Sequence, residues 1–140
     1  MSDQNNSIFP SEDMELTTIL VVKNLEESKN FYSNVLGAEL YREYGGTSIV
    51  YKFQGVWLLL VTGGEPTADK LDVYFKAPEN SNIISHSFTI RVKDCQKSYS
   101  ILLDRGATFL TPPYDWGYEI RCFFRDPDGH LFELSELKSS

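Results

Sequence analysis

Histidine and cysteine are scarce in this chain, at two residues each. That scarcity excludes the Cys/His arrays of structural zinc domains and the paired-cysteine frameworks of small secreted proteins. Cys95 and Cys122 fall in regular segments without a CxxC spacing, so reduced thiols in a cytoplasmic protein are expected. The longest apolar run, Val56 to Val61, suits a buried strand and is far too short for a membrane span. The opening MSDQNNSIFPSEDM has no basic segment followed by an apolar stretch, so no secretory signal is expected. No basic cluster occurs either, and a net charge of -7 with a pI near 4.8 argues against nucleic acid as a partner. Gly63-Gly64 leads into Glu65-Pro66 instead of a helix, which rules out a phosphate loop there, and no GxSxG elbow is present.

What is present is a repeat. Residues 1–13 are polar and read as a flexible tail. Leu16 to Val22 is β-branched and apolar, a strand by composition. Asn24 with Glu27 three residues on makes a capping-box pattern. The helix it starts runs to about Leu36, with Leu25, Ser28, Phe31, Tyr32, Val35 and Leu36 on one face, and Gly37 stops it. Strands near 39–43, 47–53 and 56–61 follow, separated by Gly45-Gly46 and Gln54-Gly55. Residues 62–85 are a long connection rich in turn formers, with room for a short extended piece at Leu71 to Phe75. Then the order begins again. His86 to Val92 reads as a strand, and Asp94 caps a helix with Cys95, Tyr99, Leu102 and Leu103 inward. Gly106 stops it, and strands near 107–111, 118–125 and 130–135 close the series. Asn24 matches Asp94 at an offset of 70, and Gly55 to Leu60 matches Gly129 to Leu134 at an offset of 74. The expectation is one domain over 14–137, made of two βαβββ modules (about 14–61 and 86–137) joined by a linker at 62–85.

Strand alternation assigns the faces. Thr18, Leu20 and Val22, and in the second module Phe88, Ile90 and Val92, should carry the helices. Thr17, Ile19 and Val21, with Ser87, Thr89 and Arg91, should face the open side. The closing strands add Trp57, Leu59 and Val61 against Leu131, Glu133 and Ser135. Apolar walls with a few polar groups are the composition of a small-molecule pocket.

The repeat, the phrase NLEESKNFYSNVLG and the phrase RCFFRDPDGHLFEL together resemble the vicinal oxygen chelate superfamily, the group of glyoxalase I, the bleomycin resistance proteins, the fosfomycin resistance enzymes and the extradiol dioxygenases. The likeness covers about residues 14–137. It implies an α+β fold in which two tandem βαβββ modules form a cup-shaped mixed sheet with helices outside, often completed by dimerisation; a homodimer is therefore expected. In the family's metalloenzymes the first and last strands of the modules supply the metal ligands, and carried onto this chain those positions are Thr17, Leu59, Ser87 and Glu133. Only Glu133 is a competent ligand, because leucine cannot ligate and serine or threonine hydroxyls are poor donors to such ions. No metal or other cofactor is therefore expected. His86 precedes the ligand position by one residue, so only a bulge would aim it at the site. His130 is three residues from Glu133 and points the other way. Asp126 and Asp128 read as caps of local amides in the DPDG turn.

Three functions stay open. The favoured one is a binding protein that holds a small organic molecule in a metal-poor pocket formed by Thr17, Ile19, Trp57, Leu59, Ser87, Thr89, Arg91 and Arg121, beside Glu133. The second is a divalent-metal-dependent lyase, isomerase or dioxygenase. The third is a metal-free enzyme in which Glu133, partly desolvated, is the general base. Turnover is thus left open. Trp57, Tyr114, Trp116 and Tyr118 are candidates to stack on a ligand.

Overall fold

The computed structural model describes residues 8–138. Of the expected tail, residues 1–7 lie outside the described residues; further on, Met14 N donates to Ser11 O at 3.2 Å and closes one turn. The first module follows as β1 (Thr17–Val22), α1 (Leu25–Asn30), β2 (Glu39–Tyr44), β3 (Ser48–Phe53) and β4 (Val56–Thr62). Asn24 sits in extended backbone, and its side chain accepts from Glu27 N at 3.0 Å, satisfying one of the free amides of the first helical turn. From Asn24 to Gly37 the chain is one residue longer than from Asp94 to Gly106. The structure absorbs that residue in a π-helical turn over Phe31–Val35, closed by Leu36 N donating to Phe31 O at 2.8 Å. Phe31, Tyr32, Val35 and Leu36 are thereby all buried.

The second module comprises β5 (Phe88–Arg91), α2 (Cys95–Asp104), β6 (Thr108–Phe109), β7 (Tyr114–Asp115), β8 (Glu119–Arg125) and β9 (Leu131–Leu137). Its sheet has the order β5-β9-β8-β6, with β7 also paired to β8, and the first sheet has the order β1-β4-β3-β2. In both, the first strand runs parallel to the last, and the other pairings are antiparallel. The ladders carry the repeat: Ile19 pairs with Leu59 as Thr89 pairs with Glu133, at the two offsets read from the sequence. The architecture is the expected α+β arrangement of two βαβββ modules. No helix among the described residues is long and apolar enough to cross a membrane.

Both helices and the helix-bearing faces of both sheets share one apolar core. Leu20, Leu60 and Tyr51 from the first sheet meet Phe124, Phe132 and Leu134 from the second, with Phe31 and Tyr32 between them. The Phe124 and Phe132 rings stack at 5.2 Å. The DPDG turn then clasps one module to the other. Asp126 accepts the Tyr32 hydroxyl at 2.8 Å and the amides of Asp128 and His130 at 2.9 and 2.8 Å. Asp128 accepts from Lys23 N at 2.9 Å, and His130 Nε2 bonds Val21 O at 2.8 Å. Gly129 has φ 98, and a Cβ there would meet Ser81 Cβ at 2.6 Å, so the linker lies against the turn. Arg125 fixes the linker in that place through Ser81 O and through Asn82 Oδ1 at 3.1 Å.

Four local expectations change. Leu103 is 46 % exposed instead of inward, because the helix buries only the stripe of Cys95 and Leu102 with Tyr99 half-buried beside it. The strand expected over His86 to Val92 is Phe88–Arg91, since its partner β9 supplies ladder positions only from Phe132 onward. Leu71 to Phe75 adds no strand, only an isolated bridge between Gly64 and Phe75. The short strand β7 was not expected; it is held by its ladder to β8 and by Trp116 N donating to Glu119 O at 2.8 Å.

Candidate functional site

Each sheet has one face on the core and one face turned away from the helices. On the first sheet the outer face carries Thr17 and Ile19, both exposed, and Trp57 and Leu59, both half-buried. The Trp57 ring lies edge-on to Tyr41 at 5.1 Å, and the Lys52 ammonium sits 4.0 Å over it. These side chains occupy the face that alternation assigns to them, within the first sheet.

The outer face of the second sheet is a lattice of charge. Thr89 pairs across the ladder with Glu133, and its hydroxyl donates to Glu133 Oε1 at 2.6 Å. Arg121 Nε approaches Glu133 Oε2 at 3.9 Å, while its Nη1 donates to Glu119 Oε1 at 3.3 Å. Arg91 reaches the other oxygen of Glu119 at 3.4 Å and also donates to Ser135 Oγ. Ser135, fully buried, donates its own hydroxyl to Glu119 Oε2. That bond, with the two guanidinium groups, holds the Glu119 carboxyl below its ordinary range against the opposing effect of burial. The Glu133 and Glu119 side chains are only 13 % and 11 % exposed, whereas Arg91 is 58 % exposed and Arg121 34 %. The carboxylates thus form the floor and the guanidinium groups the rim.

Of the residues expected at the site, the structure joins Thr89, Arg91, Arg121 and Glu133 in one set of hydrogen bonds and ion pairs. Ser87 lies just before the first ladder position of β5 and is exposed. Thr17, Ile19, Trp57 and Leu59 stand on the other sheet. Glu119 is central and was missed by the sequence reading. Its signal was the alternation of Glu119, Arg121 and Phe123 against the buried Cys122 and Phe124 within the strand expected over 118–125.

His86 packs its ring against Phe88 at 5.2 Å, on the side away from Glu133, and His130 serves the clasp. Both histidines also line a cleft of about 490 Å³ at the seam of the modules, between Ile19, Val21 and Leu131 and the linker residues Ile83 and Ile84. Among the described residues no three His, Cys, Asp or Glu side chains are grouped so as to hold a metal ion. The positions where the resemblance implies metal ligands hold a hydrocarbon, two hydroxyls and a carboxylate hydrogen-bonded to Thr89 and ion-paired with Arg121. That donor set does not fit a catalytic divalent ion, which takes about three protein ligands.

Beside Arg121 the outer face continues into a groove of about 520 Å³, lined by Pro112, Pro113, Tyr114, Trp116 and Phe123. Tyr114 lies across the ladder from Arg121, and the Arg121 guanidinium carbon is 5.2 Å from the centre of the Trp116 ring.

The family model for the Glyoxalase/Bleomycin resistance protein/Dioxygenase superfamily matches residues 16–134. The metallothiol transferase FosB of Lysinibacillus sphaericus is 31% identical over 117 residues, covering 81% of this chain and 74% of that protein. A glyoxalase/bleomycin resistance protein/dioxygenase from Nocardioides superposes with a TM-score of 0.69 at 22% identity, over 99% of this chain and 92% of that one. The fosfomycin resistance protein FosX from Listeria monocytogenes superposes with a TM-score of 0.64 at 18% identity, over 91% of this chain and 96% of that one. At those identities the two solved structures bear on the fold alone.

Proposed function

The chain belongs to the Glyoxalase/Bleomycin resistance protein/Dioxygenase superfamily, and from that premise we propose that it binds a small organic molecule on the outer face of its second sheet, in a site without the family's full set of metal ligands. The observation that carries the reading is the pair of sunken carboxylates. Glu133 and Glu119 are held by Thr89, Ser135, Arg91 and Arg121 on a sheet face turned away from the core. Solvated surface pairs contribute little and hold no fixed geometry. Hydrogen-bonded charges on rigid strands are ordered before a ligand arrives, which lowers the entropic cost of binding. Glu133 would take a cation or donor, with Thr89 fixing the orientation of its carboxylate, and Arg91 and Arg121 would take an anionic group. Thr17, Ile19, Trp57 and Leu59 would form the opposite, largely apolar wall, supplied by the first module of a second copy in a homodimer, with Ser87 at the rim of the second sheet. A cytoplasmic setting accords with the two free thiols.

The FosB relative, a metallothiol transferase by its name, favours a second reading: metal-dependent transfer of a thiol. One experiment addresses both. The purified chain and its Glu133→Gln variant are screened by thermal shift against small carboxylates, amines, zwitterions and phosphonates, with elemental analysis of the same samples. The expected outcome is stabilisation of the wild type by one ligand class, lost in E133Q, with no stoichiometric metal. A screen without a hit, or hits indifferent to E133Q, overturns the binding reading. Near-stoichiometric zinc, nickel, iron or manganese that disappears in E133Q establishes the second reading in its place.

A further inference from the structure

The aromatic side chains of the groove at the edge of the second sheet lie outside the core. Tyr114 and Trp116 meet edge to face at 4.7 Å and remain 57 % and 48 % exposed. Their loop is nonetheless held firmly. Gly117 N donates to Asp115 Oδ1 at 2.8 Å, Lys138 Nζ pairs with Asp115 at 2.9 Å, and Lys138 N donates to Tyr118 O at 3.1 Å. Large aromatic surfaces fixed in place yet left in water mark a recognition surface, because an amphipathic ring gains from cover and here loses little entropy on receiving it.

The groove opens directly onto opposite charges. Arg121 lies in it with its guanidinium between Trp116 and Phe123, at 5.2 and 6.0 Å from the ring centres. Phe123 is directly across the ladder from Glu133, so the same wall leads to that carboxylate. Arg121 and Glu133 stand 3.9 Å apart, a positive and a negative group at loose ion-pair distance. A ligand that carries one ammonium and one carboxylate on a single carbon can answer both at once. Its carboxylate would meet the rim guanidinium groups of Arg121 and Arg91, and its ammonium would meet Glu133. A molecule bearing only one charge would answer either Glu133 or the guanidinium groups and forgo the other charge-assisted contact.

We propose that the ligand of this site is an aromatic zwitterion of the α-amino-acid type, with its ring in the Pro112–Trp116 groove and its head group between Arg121 and Glu133. The inference rests on the outer face being the binding site and adds the chemical class.

Titration calorimetry of the full chain with L-phenylalanine tests it, beside L-leucine, N-acetyl-L-phenylalanine and L-phenylalaninamide, which lack the ring, the cation and the anion in turn. The expected result is saturable binding of L-phenylalanine with a Kd of about 1 mM or tighter, and binding roughly 10-fold weaker for each comparator. Trp116→Leu and Arg121→Gln should each abolish that preference, with unchanged far-ultraviolet dichroism as the check on folding. No saturable binding of L-phenylalanine, equal binding of the comparators, or indifference to W116L overturns the inference. So does a W116L variant that only turns a dimer into a monomer, since the groove is then a subunit contact. A different ligand whose thermal shift is lost in E133Q but kept in W116L overturns the aromatic zwitterion and leaves the binding face standing. A broad screen with no hit removes both.

Discussion

Replacing Tyr32 by phenylalanine removes one oxygen and leaves a ring of the same shape. The ring keeps its neighbours Phe31, Tyr51 and Phe132 at 5.0, 5.8 and 6.2 Å, so packing is unchanged to first order. What is lost is the hydrogen bond to Asp126 at 2.8 Å, between groups that are 0 % and 4 % exposed. A bond to a charged acceptor contributes about 1.5–3 kcal/mol, and here water cannot take the donor's place. We expect a loss of about 2 kcal/mol at neutral pH, and a fall in Tm of roughly 4–8 °C for a chain near this length. The pH dependence has a definite sign. Burial, the largest influence on Asp126, pushes its carboxyl above the ordinary 3.8, while His130 and the Tyr32 hydroxyl pull it down. Because the folded value lies above the unfolded one, the contribution of Asp126 is full below 3.8 and is lost as pH rises through the folded value. Removing the hydroxyl raises the folded value further, so the cost of Tyr32→Phe should be larger at neutral pH than in acid. Urea unfolding followed by circular dichroism at both conditions measures this. A loss under about 0.5 kcal/mol at neutral pH, or the same loss at both, would refute the reasoning.

Glu119 should give the opposite pH signature. Ser135, Arg121 and Arg91 hold its folded value below the ordinary 4.5, so its contribution is present above 4.5 and is lost as pH falls through the folded value. Acid unfolding of Glu119→Gln should therefore be flatter than that of the wild type, and identical acid limbs would count against the network. The exposed outer face of the first sheet and the unpaired edges of β1 and β5 call for cover, so light scattering at micromolar concentration should give the mass of a homodimer, and a monomer mass contradicts this. Cys95 and Cys122 lie with their sulfurs 3.9 Å apart, and burial pushes the Cys122 thiol up to about 12 and raises Cys95 as well. Ellman's reagent should react with them only as fast as the chain unfolds, and a rapid native burst would show that the thiols are accessible.

The repeat and its face assignment were legible because they rest on local rules. Caps at Asn24 and Asp94, stops at Gly37 and Gly106, and the two-residue alternation of β1, β4, β5 and β9 are written in neighbouring residues. The candidate site was legible where alternation sufficed, at Thr89, Arg91 and Glu133. Glu119 escaped, although it lies inside the strand expected over 118–125, because its partners are set by tertiary contacts: Arg91 and Ser135 reach it from β5 and β9. The roles of Asp128 and His130 were out of reach for the same reason. Capping of local amides was correctly expected for Asp126, whereas the amide that Asp128 accepts belongs to Lys23, more than a hundred residues away. Side-chain chemistry names a donor or an acceptor; only the fold names its partner.

The clasp formed by the DPDG turn bears on how the molecule comes apart. Tandem halves with separate cores open one at a time, and a protease can cut whichever half is loose. Here the amide of Lys23 and the carbonyl of Val21, at the end of the first strand, are bonded to residues of the last hairpin. Neither half can fray at that seam without stranding polar groups of the other. The Lys23 amide, though at an exposed residue, should then exchange its hydrogen with solvent at the rate of the slowest core amides, as the marker of a single cooperative unit.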